Sequence, residues 1–381
     1  MKCTIKKILV CLLATVISFS VFLTPGQNEI GTRAHASMDD SAVSCSGAVI
    51  GEDVRISSRL WELLFGKDEE EAKKDDTGTV MLLAGGTIFG AKIKQSYLCV
   101  TDPGSVKELK VADRIISANG KAITSAQELR DVIAACGGKE IKLVVKRDDK
   151  EISVNITPRL EDGEYSLGIL LKDGAAGIGT VTYVDPKTGE FGGLGHGICD
   201  PETGELIEMK SGAVTGVILG GVKRGEAGKP GELSGILTEK ISGTLYANTE
   251  CGVFGKLDNI PENLNTVPIE IATRSEVHEG EAMIYSTVKN GQSKEFKVEI
   301  SEINHASTGT KSFKIKATDP TLIAITGGVV RGMSGSPIIQ NGKLVGAVTH
   351  VMVADPTDGY GIFIENMLNA SVSARNELPA A

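Results

Sequence analysis

Gly332-Met333-Ser334-Gly335-Ser336-Pro337 runs straight into Ile338-Ile339-Gln340, the turn Asn341-Gly342-Lys343 and the apolar run Leu344-Val345-Gly346-Ala347-Val348-Thr349-His350. A serine flanked by glycines on a tight turn projects its hydroxyl clear of the backbone, because glycine takes up backbone angles that other residues avoid. A glycine two positions earlier lets its own N–H and that of the serine point at one spot. That is how an oxyanion is held during acyl transfer. Asn-Gly between two apolar runs is a hairpin signal. The stretch therefore reads as a nucleophile turn followed by a β-hairpin. Ser334 is the candidate nucleophile, and the N–H groups of Gly332 and Ser334 form the candidate oxyanion hole.

The same punctuation extends outward. Tyr360-Gly361-Ile362-Phe363-Ile364 is one more strand, and a C-terminal helix follows at Glu365 to Leu368. Upstream, Ile178 to Val184, Ala213 to Leu219 and Ala282 to Val288 are short apolar runs between Gly, Pro and Asn/Asp signals, which is the spacing of a sandwich or a pair of barrels. Gly220 to Gly235 reads as a glycine-rich surface loop. Glycine contributes 46 of the 381 residues, against an ordinary share of ~7%. With only 4% aromatics, this favours tight turns and strands over helical bundles. The length implies two or three domains. A hydrophobic share of 41% excludes global disorder, and a net charge of −9 argues against a general nucleic-acid binder. The hexapeptide and its hairpin resemble the nucleophile loop of chymotrypsin-like serine proteases, which implies a double β-barrel over residues 159–381.

A serine nucleophile needs a base. His196 sits in Gly192-Gly193-Leu194-Gly195-His196-Gly197, upstream of the serine and crowded by glycines. It is the first candidate. His350 follows Ser334 by 16 residues on the strand that should pass the substrate side, and is the second. The acid that would fix the imidazole is open among Asp319, Asp200, Asp355 and Asp358. Each sits beside Pro or Gly or in a turn-like stretch, where a structural role is the ordinary one.

Residues 78–158 read as a small peptide-binding module. Asp113-Arg114-Ile115-Ile116-Ser117-Ala118-Asn119-Gly120 is a strand closed by a tight turn. Ser125-Ala126-Gln127-Glu128 is a capping box opening a helix with Leu129, Val132 and Ile133 on one face. Ile141 to Val145 and Ile152 to Ile156 form a hairpin around Arg147-Asp148-Asp149-Lys150. This order resembles a PDZ domain. In that family a glycine-rich loop offers N–H groups to a peptide carboxylate, and the neighbouring strand takes the peptide by β-augmentation. The resemblance assigns that role to Gly86 and Gly90, with Ile88 and Phe89 lining the pocket.

The first 36 residues read as an address. Lys2, Lys6 and Lys7 precede the largely apolar run Ile8 to Leu23, the order of an export signal or an N-terminal anchor. Ala34-His35-Ala36 fits a small-x-small cleavage site, although it lies 13 residues beyond Leu23. Residues 37–77 read as a connector, with one short amphipathic helix from Ser57 to Phe65 and a charged tract from Lys67 to Asp76. Two of the seven cysteines lie in the signal, and the other five have no paired spacing. That is neither a disulfide framework nor a zinc site. No metal or phosphate motif is present, so no cofactor is expected.

The N-terminal signal, the PDZ-like module ahead of the peptidase, Gly193-Leu194-Gly195-His196 and Gly332 to Lys343 occur together, with Asp355-Pro356-Thr357 and Gly359-Tyr360-Gly361 behind them. In this combination the chain resembles the stage IV sporulation protein B peptidases of endospore-forming bacteria. The resemblance implies a signalling serine endopeptidase exported into the space between forespore and mother cell. It would cleave itself, then a membrane-bound regulator of an intramembrane protease, and so activate the late mother-cell sigma factor. The family triad carries over as His196, Asp319 and Ser334. Asp319 precedes Ser334 by only 15 residues, much closer than the acid of chymotrypsin-like enzymes, so it can instead serve the nucleophile loop. The competing readings are a non-catalytic exported PDZ scaffold and a general envelope quality-control protease.

Overall fold

The structure, a computed structural model, describes residues 80–261, 264 and 266–377, together with the backbone of 33–34. Apart from Arg33 and Ala34, the expected export signal and connector lie outside the described residues. Strand β1 (Arg33–Ala34) pairs with a later strand at Gly235 and Ile236. Next come β2 (Met81–Ala84) and β3 (Ile88–Asp102), a strand of 15 residues. Then follow β4 (Arg114–Ala118), β5 (Lys121–Ala122), helix α1 (Ala126–Cys136), β6 (Ile141–Arg147) and β7 (Lys150–Ile156). A hairpin of β8 (Arg159–Glu161) and β9 (Glu164–Ser166) precedes β10 (Leu170–Val184), again 15 residues long. The chain continues through β11 (Glu190–Gly193), β12 (Met209–Lys223), β13 (Glu232–Thr249), β14 (Gly252–Leu257) and β15 (Pro268–Glu270).

Six of these strands close on themselves. β10, β11, β14, β13, β12 and β3 pair in that order, and β3 pairs back to β10. Inside lie Phe89, Val181, Phe191, Val214, Leu245 and Val253. A second closed barrel is made by β16 (Gly280–Lys289), β17 (Gln292–Ser301), β18 (Phe313–Ala317), β21 (Asp358–Phe363), β20 (Lys343–Val351) and β19 (Pro337–Gln340), in that spatial order. Phe296, Phe313, Ile338, Val348 and Phe363 fill it. Helix α2 (Pro320–Thr326) leads towards the nucleophile turn. Helix α3 (Ile364–Asn376) buries Met367 and Leu368 in a third cluster with Phe254 and Ile362, which joins the barrels. The chain is mainly β, with a PDZ-type unit and two barrels.

The order of domains along the chain is not linear, however. Strand β3 pairs with β10 over Ile88–Lys94 in the first barrel, and again over Cys99–Asp102 beside β4. The PDZ-type unit is thus an insertion into the first barrel, carried on two shared strands. A boundary at residue 158 has no counterpart here. Residues 88–94 belong to the barrel, and the small unit has its own core of Leu98, Ile115, Leu129, Leu143, Val154 and Leu167.

Local chemistry follows the sequence closely within that unit. Ser125 accepts from the amide of Glu128 while Glu128 reaches back to the amide of Ser125, so both halves of the capping box form. Asn119 and Gly120 have φ of 49° and 78°, the left-handed pair of a tight hairpin turn. Gly220 to Gly235 is half strand, with a loop only from 224 to 231. β12 runs to Lys223 and β13 begins at Glu232.

Candidate active site

The nucleophile turn begins where the second barrel meets the first. Gly332 and Gly335 have φ of 93° and 94°, which a side chain would strain. Gly335 is also required by space, since a Cβ there would stand 2.0 Å from the carbonyl oxygen of Thr180 on β10. Between them Met333 is fully buried and anchors the turn in the second barrel's core. Strand β10 grips the turn from the other side. The Thr180 amide donates to Ser334 O at 2.9 Å, Thr180 Oγ1 to Gly332 O at 2.9 Å, and Thr182 Oγ1 to Gly335 O at 2.8 Å. Both threonines are wholly buried. Sequence reasoning missed them, although polar residues alternating inside the apolar run Ile178 to Val184 were a readable signal. The amide of Gly335 donates to Val348 O and that of Ser336 to Met333 O, whereas the amides of Gly332 and Ser334 donate to no acceptor among the described residues. Ser334 Oγ donates to the Thr349 carbonyl at 2.7 Å.

His196 comes from the first barrel, in the loop after β11. Leu194 and Gly195 both take left-handed angles, φ 67° and 69°. A Cβ on Gly195 would press on Thr349 and Ile362 of the second barrel, so this glycine lets the histidine loop lie against β20. His196 Nδ1 lies 2.9 Å from the carbonyl oxygen of Gly197. A carbonyl only accepts, so Nδ1 carries the proton and the Nε2 lone pair is the basic one. The His196 and His350 rings are 5.1 Å apart between centroids. The structure therefore gathers Ser334 and both candidate histidines at the seam between the barrels. His350 is held well below its ordinary pKa, to about 3, first by burial and then by the charges of His196 and Lys311.

The acids are engaged elsewhere. Asp319 is the N-cap of α2: its Oδ1 accepts from the amides of Thr321 and Leu322, and its Oδ2 from Lys297 at 3.4 Å. Burial acts to raise its pKa, but the amides of Leu322, Lys297 and Thr321 outweigh it and hold the carboxyl down. Among the described residues no imidazole bonds to it. Asp200 is buried and faces the inserted unit. Its Oδ2 lies 2.9 Å from Lys172 Nζ, and its Oδ1 accepts from the amide of Glu202. Asp355 accepts from Thr357, and Asp358 lies 3.8 Å from Lys316. The orienting acceptor beside His196 Nδ1 is thus a backbone carbonyl. A lone sequence could not reveal this, because every residue has one.

The peptide-carboxylate role expected of Gly86, Ile88, Phe89 and Gly90 is not what the structure shows. The amides of Gly85 and Gly86 donate to Thr182 O and Val181 O, and Gly86 O accepts from Thr287 Oγ1. Phe89 is 3% exposed and meets the Phe191 ring edge-on at 5.5 Å. The loop is spent on packing the barrels. The exposed edge of the inserted sheet lies at the start of β10. Residues 170–172 have β3 on one side, and α1 packs nearby with no strand between among the described residues. The turn before that edge is Leu167-Gly168-Ile169, with Gly168 exposed at φ 62°. This second glycine turn went unread because the strand it opens is shared with the barrel.

Known proteins share these parts. A SpoIVB peptidase S55 family model matches residues 163–368, and a PDZ domain model matches residues 103–147. Two curated relatives are each called "Putative zinc metalloprotease". One, all3971 of Nostoc sp., is 40% identical over 84 residues, 21% of this chain and 23% of that protein. The other, BR1156/BS1330_I1152 of Brucella suis, is 24% identical over 127 residues, 32% of this chain and 33% of that protein. The chain thus spans a third or less of these relatives' lengths. Among solved structures, the PDZ domain of an SdrC-like protein from Listeria monocytogenes shares 27% identity. That match covers 21% of this chain and 87% of that one, with a TM-score of 0.18. Rv3671c of M. tuberculosis, in an inactive mutant form, shares 12% identity over 54% of this chain and 84% of that one, with a TM-score of 0.27. The S55 match takes in both His196 and Ser334 and covers 206 of the 381 residues, so the chain belongs to the SpoIVB peptidase S55 family.

Proposed function

We propose that this chain is a serine endopeptidase of the sporulation-signalling type, acting through Ser334 with His196 as base. The observation that carries the reading is the turn itself. The amides of Gly332 and Ser334 donate to no acceptor among the described residues beside a serine hydroxyl, and a histidine with a basic Nε2 stands on the facing barrel. In the reaction the Ser334 hydroxyl leaves the Thr349 carbonyl and gives its proton to His196 Nε2 as Oγ bonds to the substrate carbonyl carbon. The two amides hold the oxyanion. The imidazolium returns the proton to the leaving amine as the peptide C–N bond breaks, and water then hydrolyses the acyl ester by the same base. The Gly197 carbonyl keeps the imidazole in one tautomer throughout.

The family resemblance further proposes that the substrates are the chain itself and a membrane-bound regulator of an intramembrane protease, cut after export to the space around the forespore. Peptide segments would add to the sheet edge at residues 170–172. The deciding experiment is a fluorophosphonate label followed by peptide mapping. Label on Ser334, lost in Ser334→Ala together with self-cleavage, is expected. Self-cleavage by purified Ser334→Ala would sink the assignment. One observation favours a non-catalytic scaffold: the Ser334 hydroxyl is bonded to Thr349 and both favoured acids are occupied. A chain that binds peptide tails and never takes the label would support that reading. Degradation of unfolded casein would instead indicate general quality control.

A further inference from the structure

Next to the nucleophile the second barrel opens a cleft of about 250 Å³, walled by Lys311, His350, Val351, Met352, Val353 and Tyr360. It lies near the reacting atom, since Ser334 Oγ is bonded to the carbonyl of Thr349, the residue before His350. A side chain of the substrate next to the scissile bond has this cleft within reach.

One unspent group lines it. The Lys311 ammonium sits 5.1 Å from the Tyr360 ring centre and makes no ion pair among the described residues. The acids on the facing loop are committed, Asp355 to Thr357 and Asp358 to Lys316. The rest of the wall is largely aliphatic or aromatic. An apolar sleeve with a cation beside it fits a short hydrocarbon chain ending in a carboxylate.

We propose that this cleft is the specificity pocket and takes an acidic side chain, Glu or Asp, of the substrate residue on the acyl side of the scissile bond. Lys311 is its counter-ion. The inference rests on the peptidase reading and adds the substrate class. A carboxylate entering the cleft would pair with the Lys311 ammonium. A lysine or arginine would meet a like charge, and a leucine would leave the ammonium unpaired.

The test is digestion of a proteome-derived peptide library with the full chain, reading the residue that precedes each new N-terminus. Fluorophosphonate labelling runs in parallel. Matched peptides differing only as Glu or Gln at that position should differ about tenfold in kcat/KM, the range of a hydrogen bond to a charged group. Lys311→Ala should bring that ratio close to one, and Lys311→Glu should shift the preference towards Lys, while Ser334 still takes the label in both. Cleavage sites without acidic enrichment, an unchanged Glu/Gln ratio in Lys311→Ala, or a labelled enzyme that leaves the library intact would each overturn the acidic pocket with the peptidase reading standing. Failure of Ser334 to label would fell that reading itself.

Discussion

A general base must hold the proton it takes, and this separates two histidines that sequence ranks only by their neighbours. His350 is too buried to charge readily, whereas His196 has its Nδ1 proton pinned by a carbonyl, which makes Nε2 its basic nitrogen. His196→Gln is therefore expected to slow peptide cleavage by roughly 10²–10⁴-fold. A normal rate in that variant, with the loss confined to His350→Gln, would transfer the role. His350 also sets a pH dependence. Its imidazole stays neutral in the fold down to about pH 3, while an unfolded chain protonates it below ~6.5. Between those values the unfolded state binds the extra proton, so stability falls as pH falls through that window, by at most ~1.4 kcal/mol per unit. Denaturant melts of His350→Phe should show a flatter profile from pH 6.5 to 3. An unchanged slope would remove His350 as its source. Asp319 belongs to a different ledger. Asp319→Asn keeps an N-cap acceptor and should retain near-normal turnover, while Asp319→Ala should lose about 1 kcal/mol of stability. Collapse of kcat in Asp319→Asn at unchanged melting temperature would restore it to the triad.

At the scale of elements, the inserted unit hangs on one buried ion pair. Asp113, fully buried before β4, accepts from Arg147 Nε and Nη2 at 2.6 Å each, and Arg147 also reaches the Glu108 carbonyl. Removing the acid leaves a largely covered guanidinium without its partner, and breaking such a pair costs about 3–5 kcal/mol. Asp113→Ala should unfold the 97–172 unit first, seen as early loss of hydrogen-exchange protection on β6 and β7. Uniform loss across both barrels would mean that the unit is not separately stable. The Asp-Arg pair was plain in the sequence as part of the strand motif. Its partner 34 residues on was not, because only the folded sheet brings Arg147 beside it. The capping box, the Asn-Gly turn and the β6–β7 hairpin were legible for the opposite reason: each is decided within a few residues.

For the whole molecule, the shared strands change what a deletion means. Excising residues 78–158 removes β3 and breaks the ring of the first barrel, so such a chain should be insoluble and unlabelled. Asp102 and Leu170 are register partners across the two long strands. Joining them by a two-residue Asn-Gly turn in place of 103–169 should leave a folded, labelling-competent double barrel. Loss of its cooperative melt would show that the barrel depends on the insert. The loop that follows His196 is also tied to that insert, through Lys172 with Asp200 and Glu202 and through Arg114 with Glu205. The unit with the exposed sheet edge and the loop with the base are therefore one connected surface.

The sequence by itself determined the β-rich class, the PDZ-like unit, the serine on its glycine turn and the histidine among glycines, because those features are written in local turn chemistry and in the period of apolar residues. Tertiary structure alone decided the rest. It used the glycine loop at 85–90 as barrel packing, set Thr180 and Thr182 beneath the nucleophile turn and brought the His196 ring beside His350. Each of these depends on contacts between residues far apart in the chain. Backbone donors and acceptors are the same at every position, so which of them ends beside a catalytic group is fixed only when the two barrels close on each other.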